Sequence, residues 1–176
     1  MLLTITTTHA PATDLGFLLH KNPARVHTLP LSFGTAHVFY PETRAERTTV
    51  ALAVEVDPVG LVRDRGAADR PLEPYVNDRP YAASSFLSVA LHEAFATALA
   101  GRSKERPELA LQKIPLEVTI SALPCRGGRA VLERLFLPLG YALEIEGGDL
   151  DALYPEWGPS PYHRVTLRAE PVDPRL

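Results

Sequence analysis

The segment from Ser85 to Ala100 constrains the fold more than any other part of the chain, because almost every residue in it is apolar or small. Its apolar side chains surround the whole circumference of a helix, which is typical of a helix buried on all sides. Ser84 or Ser85 can cap its first turn, and Gly101 can adopt the left-handed conformation that ends a helix. At about sixteen residues the segment is too short, and too polar in places, for a membrane span. We therefore predict a central buried helix.

Segments rich in β-branched residues predict strands on both sides of this helix. They cover residues 2–8, 26–31, 36–40 and 48–56 before it, and residues 116–121, 143–146 and 164–169 after it. Amphipathic segments at 14–22 and 129–137 predict shorter helices, so both halves run strand, turn, helix, strand, strand. Short connections favour antiparallel pairing. We predict an α+β fold, with antiparallel or mixed sheets formed by two βαββ-like halves around the central buried helix.

Composition indicates a single domain spanning residues 1–176, since 176 residues with 45% hydrophobic content can bury one core. The formal net charge of −3 gives no general attraction to RNA, so RNA binding would need a local basic patch. Residues 63–71 carry five charges and predict a surface loop. The lone Cys125 and the lack of a signal-like N-terminal segment predict a cytoplasmic location without a membrane partner.

Three patterns were weighed as sites of chemistry, and none completes a catalytic arrangement. His92-Glu93 begins like a metalloprotease pair, but residue 96 is alanine where the second histidine must stand, which favours solvated or interface positions. Residues 124–128 precede a helix and could face an anion, or they form a structural turn. A Cys125 nucleophile has no histidine nearby in the sequence to act as a base.

Three polar or aromatic segments are candidate interaction surfaces, each with a structural alternative. Residues 77–81 could contact a partner or form a self-satisfied turn. Cations in residues 102–106 could contact phosphates or complement the dipole of the preceding helix. Aromatic residues between 154 and 162 could recognise a ligand or cover a core. The predicted partner-binding residues are Asn77, Asp78, Arg79, Tyr81, Arg102, Lys104, Arg106 and Trp157.

Several motifs resemble the N-terminal domain of the bacterial 3′-terminal RNA ribose 2′-O-methyltransferase. They lie at residues 75–91, 101–109, 123–128 and 154–168, together with the opening LLTITTTHAPATDLGFLLHKNP and the later SFGTAHVFYP. The resemblance covers nearly the whole chain. Since the family domain continues beyond the last strand of this sequence, it also predicts a domain shortened at its C-terminal end.

The resemblance implies that the chemistry belongs to a separate C-terminal domain, which binds S-adenosylmethionine and a divalent metal through a His/Glu cluster. We therefore expect no cofactor in this chain and no catalysis by it. For the N-terminal domain, the family implies association with a bacterial polynucleotide kinase-phosphatase/ligase, whose ligase activity in RNA repair needs this contact. The alternative is an RNA-binding module that delivers RNA 3′ ends to the methyltransferase domain.

Overall fold

The computed structural model describes residues 1–58 and 80–172, with side chains described for 1–58 and 84–169. Within these residues seven strands form one antiparallel sheet in the order β2-β3-β4-β1-β5-β7-β6. The strands are β1 (Leu2–Thr7), β2 (His27–Leu31), β3 (Gly34–Thr43), β4 (Thr48–Val56), β5 (Ile114–Pro124), β6 (Ala142–Glu146) and β7 (Tyr162–Val172). The helices are α1 (Leu15–Leu18), α2 (Pro80–Leu99) and α3 (Gly128–Phe136). The α+β class is therefore confirmed.

The sheet has one apolar face and one polar face, because residues alternate along each strand and opposed residues of antiparallel strands share a face. Leu3 of β1 lies opposite Leu52 of β4 and Ile120 of β5 on the apolar face. Thr6 lies opposite Thr49 on the other face, where their hydroxyl oxygens are 2.9 Å apart. Only the apolar face needs to be covered by other elements.

Helix α2 covers much of the apolar face and forms the main core with it. Leu87, Ala90 and Ala94 are buried against β1, β3 and β4. The ring of Phe86 stacks on Phe33 at 4.4 Å between centroids. The helix is irregular at Phe95, which is buried in the same cluster. Since the core forms between α2 and the sheet, burial of these side chains is the main source of stability in this half of the domain.

The prediction that α2 is buried on all sides is wrong. Val89 is exposed and Leu99 is 42% exposed, as are His92 and Glu93 on the outer surface of the helix. Only one side of α2 faces the sheet, and its exposed positions include the small residues Ser85, Ser88, Ala96 and Thr97, which tolerate water. The helix also begins earlier than predicted, at Pro80, a residue that is favoured in a first helical turn.

The two βαββ-like halves around a central helix are not confirmed. All strands belong to one sheet, and α2 packs on one side of it rather than between two halves. The predicted helix at 14–22 is shorter than expected, since α1 ends at Leu18 and His20 adopts a positive φ of 57°. The predicted loop at 63–71 lies outside the described residues. In the part of the chain that is described, no helix has the length and apolar character needed to cross a bilayer.

Leu52→Ala should lower the free energy of unfolding by about 2–5 kcal/mol, because a fully buried leucine leaves a cavity when it is truncated. Val26→Ala is the control, since Val26 is 64% exposed, and its effect should stay within about 0.5 kcal/mol. Urea denaturation of both variants measures the difference. Equal effects of the two substitutions would contradict the assigned core.

Candidate functional site

The basic segment, residues 101–106, follows α2 and has a fixed backbone. Gly101 adopts a φ of 66° and donates its N–H to the carbonyl of Ala98 at 2.8 Å. The N–H of Arg102 donates to the carbonyl of Thr97 at 3.1 Å. These two bonds form a Schellman motif, in which a left-handed glycine ends the helix and satisfies its last carbonyls. The cations that follow therefore leave the helix in one defined direction.

Two residues of the basic segment fasten it to α1. The buried Ser103 donates its hydroxyl to the carbonyl of Phe17 at 3.1 Å and accepts the N–H of Arg106 at 3.2 Å. The Nε of Arg106 lies 3.4 Å from an Asp14 carboxylate oxygen, and its guanidinium lies 5.4 Å from the Phe17 ring centre. Arg106 is therefore engaged within the chain, so the structure favours a stabilising role for it.

Arg102 and Lys104 differ from Arg106, because both are exposed and neither lies within ion-pair distance of a carboxylate in residues 1–58 or 84–169. Arg102 borders an apolar groove beside the end of α2. Cations without an internal partner are the ones that can pair with an acidic ligand at little cost. These two are therefore the candidates in the basic segment for contacts with a partner.

The second candidate surface is the aromatic loop, residues 147–161, which joins β6 to β7. Tyr154 and Trp157 stack with their ring centres 4.8 Å apart and their planes at 13°. Backbone bonds close the loop, with the N–H of Leu150 donating to the carbonyl of Gly158 at 2.9 Å. Trp157 is nonetheless 58% exposed. An exposed tryptophan held by a defined loop is the residue type that most often dominates a protein interface.

The charges of the aromatic loop favour a protein partner over RNA. Asp149, Asp151 and Glu156 lie in the loop, and residues 147–161 contain no lysine or arginine. Carboxylates around exposed rings repel phosphate groups, whereas single-stranded RNA sites combine stacking rings with cations. The aromatic loop therefore suits a protein partner that offers basic or neutral residues.

The basic segment and the aromatic loop are not neighbours. Arg106 pairs with Asp14, which follows β1, and the basic segment leads to the start of β5 at Ile114. The aromatic loop leads into β7 at Tyr162, which lies opposite Pro124 at the end of β5. β5 has 11 residues, or about 33 Å of extended strand. The two surfaces thus lie at opposite ends of the central strands.

The remaining predicted site residues cannot be placed. Asn77, Asp78 and Arg79 lie outside the described residues. Tyr81 belongs to the first turn of α2, but its side chain is also outside the description. The proposal that this segment contacts a partner therefore stays a prediction from the sequence.

The polar face of the sheet carries an ion-pair network that the sequence reasoning missed. Arg168 donates to Glu117 at 2.6 Å and to Glu144 at 2.7 Å, and the hydrogen bonds to Glu117 and then Glu144 raise the pKa of its guanidinium. Arg47 lies 3.7 Å from Glu117 and 3.4 Å from Glu42. The signal in the sequence that could have predicted this network is the charged residues at alternate positions along the strands. Arg168 and Arg47 are thus paired with glutamates, whereas Arg164, which lies on the same face opposite Glu146, is exposed and has no ion pair among the described residues.

The structure does not bring the three sequence patterns considered as catalytic or anion-binding sites together into one site. His92 and Glu93 lie exposed on α2. The Cys125 thiol donates to the carbonyl of Gly128 at 3.5 Å and packs beside Leu132 of α3, as in a structural turn. Among the described residues, no three His, Cys, Asp or Glu side chains are grouped so as to hold a metal ion.

Arg106→Ala should lower the free energy of unfolding by about 1–2 kcal/mol, since it removes the ion pair with Asp14 and the contact with Phe17. Lys104→Ala, a loss of the same charge two residues away, should change it by less than about 0.5 kcal/mol. Urea denaturation at low and high salt separates the contribution of the ion pair from that of the ring contact, because salt screens the ion pair more strongly. If both variants were equally stable, the fastening role of Arg106 would be wrong.

Comparison with solved structures finds the same fold in chains from two structures of a Pnkp1/Rnl/Hen1 complex. The first, described as the Pnkp1/Rnl/Hen1 RNA repair complex, is 14% identical, with a TM-score of 0.57 over 98% of this chain and 38% of that chain. The second is 13% identical, with a TM-score of 0.58 over 97% of this chain and 38% of that chain. The present chain thus spans well under half of their length, and at such identities the likeness shows the fold alone.

No curated protein sequence matches the chain. A family model described as the RNA repair, ligase-Pnkp-associating region of Hen1 matches residues 1–172, which confirms the family predicted from the sequence motifs. The match includes every described strand and helix. The chain therefore belongs to the family of RNA repair, ligase-Pnkp-associating regions of Hen1.

Proposed function

We propose that this chain is a non-catalytic module that binds a polynucleotide kinase-phosphatase/ligase and activates its ligase in RNA repair. The observation that carries the proposal is the family match over residues 1–172, because that family is described as ligase-Pnkp-associating. Solved chains of the same fold come from complexes that contain Pnkp1, Rnl and Hen1. The family resemblance implies that methyl transfer, with S-adenosylmethionine and a metal, is the task of a separate domain.

The surfaces of the chain suit such a role, because each is presented by backbone that the fold holds in place. The basic segment begins with two hydrogen bonds that end α2, and the aromatic loop is closed by its own backbone bonds. A surface that is already ordered loses little conformational entropy on binding. Preorganised contacts of this kind support tight association with a protein partner.

Activation requires that the module bind the active conformation of the ligase more tightly than the inactive one. A hundredfold preference corresponds to about 2.7 kcal/mol, which one or two interface residues can supply. Trp157 and Arg102 are the described residues best suited to this, since one is an exposed aromatic anchor and the other an exposed cation without an ion pair in the described part of the chain. Tight binding alone would not activate the ligase.

An RNA-binding module that delivers 3′ ends is the alternative, and the described surfaces support it less well. Arg168 and Arg47 on the polar sheet face pair with glutamates, and the aromatic loop is acidic. Arg102 and Lys104 lie at the far end of β5 from the exposed rings. Arg126, which is also exposed, lies at the same end of β5 as the aromatic loop, but the carboxylates of that loop would repel phosphate groups beside the rings.

Trp157→Ala should weaken binding to the kinase-phosphatase/ligase about thirtyfold, which is about 2 kcal/mol, and reduce ligase stimulation in proportion. Calorimetry measures the affinity, and adenylylation and RNA sealing measure the activation. Val26→Ala is the control, an exposed apolar residue on a different part of the surface. If the unaltered chain neither bound nor stimulated the ligase, the proposed function would be excluded.

RNA affinity separates the two functions. We expect at most weak binding to single-stranded RNA, with a shallow salt dependence, because only Arg102 and Lys104 are exposed cations without an internal partner in the described basic segment. Titration of a fluorescent RNA oligonucleotide at several salt concentrations measures this slope. Tight binding that falls steeply with salt would favour the delivery module instead.

A further inference from the structure

An apolar groove crosses the covered face of the sheet between the end of α2 and the segment that follows α3. Ile5, Val118 and Leu167 of three adjacent strands line it. Leu99 of α2 borders it on one side, and Leu139, in the 3-10 turn Leu137–Leu139 after α3, borders it on the other. The groove encloses about 340 Å³. Among the described residues, α2 and α3 thus leave the apolar face of the central strands only partly covered.

The width of the sheet explains why this gap exists. Strands in a sheet are about 4.8 Å apart, so seven strands span about 30 Å. A helix with its side chains is about 10 Å across, so three helices side by side would cover the apolar face. The described residues place two helices longer than one turn on it, α2 over β1, β3 and β4 and α3 over β6 and β7. The space between them lies over β5, and α1 and the turn Leu109–Leu111 cover its end near Ile114.

The lining of the groove indicates what it would accept. In the described part of the chain, Arg102 is the one charged side chain among the lining residues, and the rest are apolar apart from Gly101 and the Tyr141 hydroxyl. Burial in these surroundings raises the pKa of Tyr141. Arg102 has no carboxylate within ion-pair distance in the described residues. The complementary occupant is an apolar surface that carries an acidic residue at one end.

We propose that the groove binds one amphipathic helix of the kinase-phosphatase/ligase partner. The apolar side of this helix packs on Ile5, Val118 and Leu167, and an aspartate or glutamate near one end pairs with Arg102. Helix-in-groove recognition uses apolar anchors at positions i, i+3 or i+4, and i+7, which a groove with an apolar floor can accept. The inference rests on the proposed function and adds the surface and the element that the partner contributes.

Leu139→Glu and its matched control, Leu135→Glu, test the groove. Both leucines are 58% exposed, but only Leu139 borders the groove. In calorimetry with the purified kinase-phosphatase/ligase, Leu139→Glu should weaken binding at least thirtyfold, whereas Leu135→Glu should leave it within about threefold. Thermal unfolding of each variant verifies that it folds. Arg102→Glu, on an exposed residue, should weaken binding about tenfold without affecting folding.

A photo-crosslinking amino acid in place of Leu99 then identifies the bound segment by mass spectrometry. We expect a helical partner segment with apolar residues at the stated spacing, and we expect reversal of its acidic residue to lysine to restore the affinity of Arg102→Glu. A crosslink to a strand or loop would overturn the proposal. So would equal losses for Leu139→Glu and Leu135→Glu.

The outcomes also separate this inference from the proposed function. If the unaltered chain activates the ligase and Leu139→Glu does so equally well, the groove is not the docking site but the function stands. If Leu139→Glu lowers stability without affecting affinity, the groove is covered within this chain and the inference falls. Failure of the unaltered chain to bind the ligase would remove both.

Discussion

The alternation of side chains along the strands determines the rest of the structure, because it gives one sheet two unlike faces. On one face, residues such as Leu3 and Leu52 lie opposite each other and must leave water. Burial of each such side chain contributes about 1.5–3 kcal/mol. On the other face, Thr6 lies opposite Thr49, and charged side chains can remain solvated. Both long helices therefore pack on the same side, and no described helix packs on the opposite side.

The polar face has the chemistry of a stable exterior rather than of a binding site. Its Arg168 is shared between Glu117 and Glu144, and Arg47 extends the network toward Glu42. A network of alternating charges satisfies its members and leaves little potential to attract a charged ligand. An exposed sheet face that bound RNA would instead combine cations with aromatic rings. We therefore expect recognition of a partner at the loops that end the strands and on the apolar face.

Sequence patterns predicted the strands well but predicted the surroundings of α2 poorly. β4 begins at Thr48 and ends at Val56 as expected, because strand periodicity is a local property. Burial of α2 depends on where the sheet lies, which no local pattern records. Alanine and serine read as compatible with a core, yet on the outer side of α2 they face water at little cost. Local patterns also could not show that the two predicted βαββ-like halves share one sheet, which β1 and β5 join by pairing with each other.

The basic segment shows most clearly what the sequence could not decide. Arg102 and Arg106 are both arginines, they lie close together in the sequence, and the sequence predicts both to contact a partner. Asp14 and Phe17, which are distant in the sequence, engage Arg106, whereas Arg102 has no ion pair among the described residues. The distinction arises from the tertiary fold alone.

Arg102 also lies at the edge of the apolar groove, so a charged side chain and an apolar surface are adjacent there. A partner that uses both gains affinity from the apolar surface, which is not directional. It gains register from the ion pair, which depends on position. Since an activator must favour one arrangement of its partner, contacts that fix register serve activation better than apolar area alone. The groove with Arg102 at its edge supplies both kinds of contact at the end of α2.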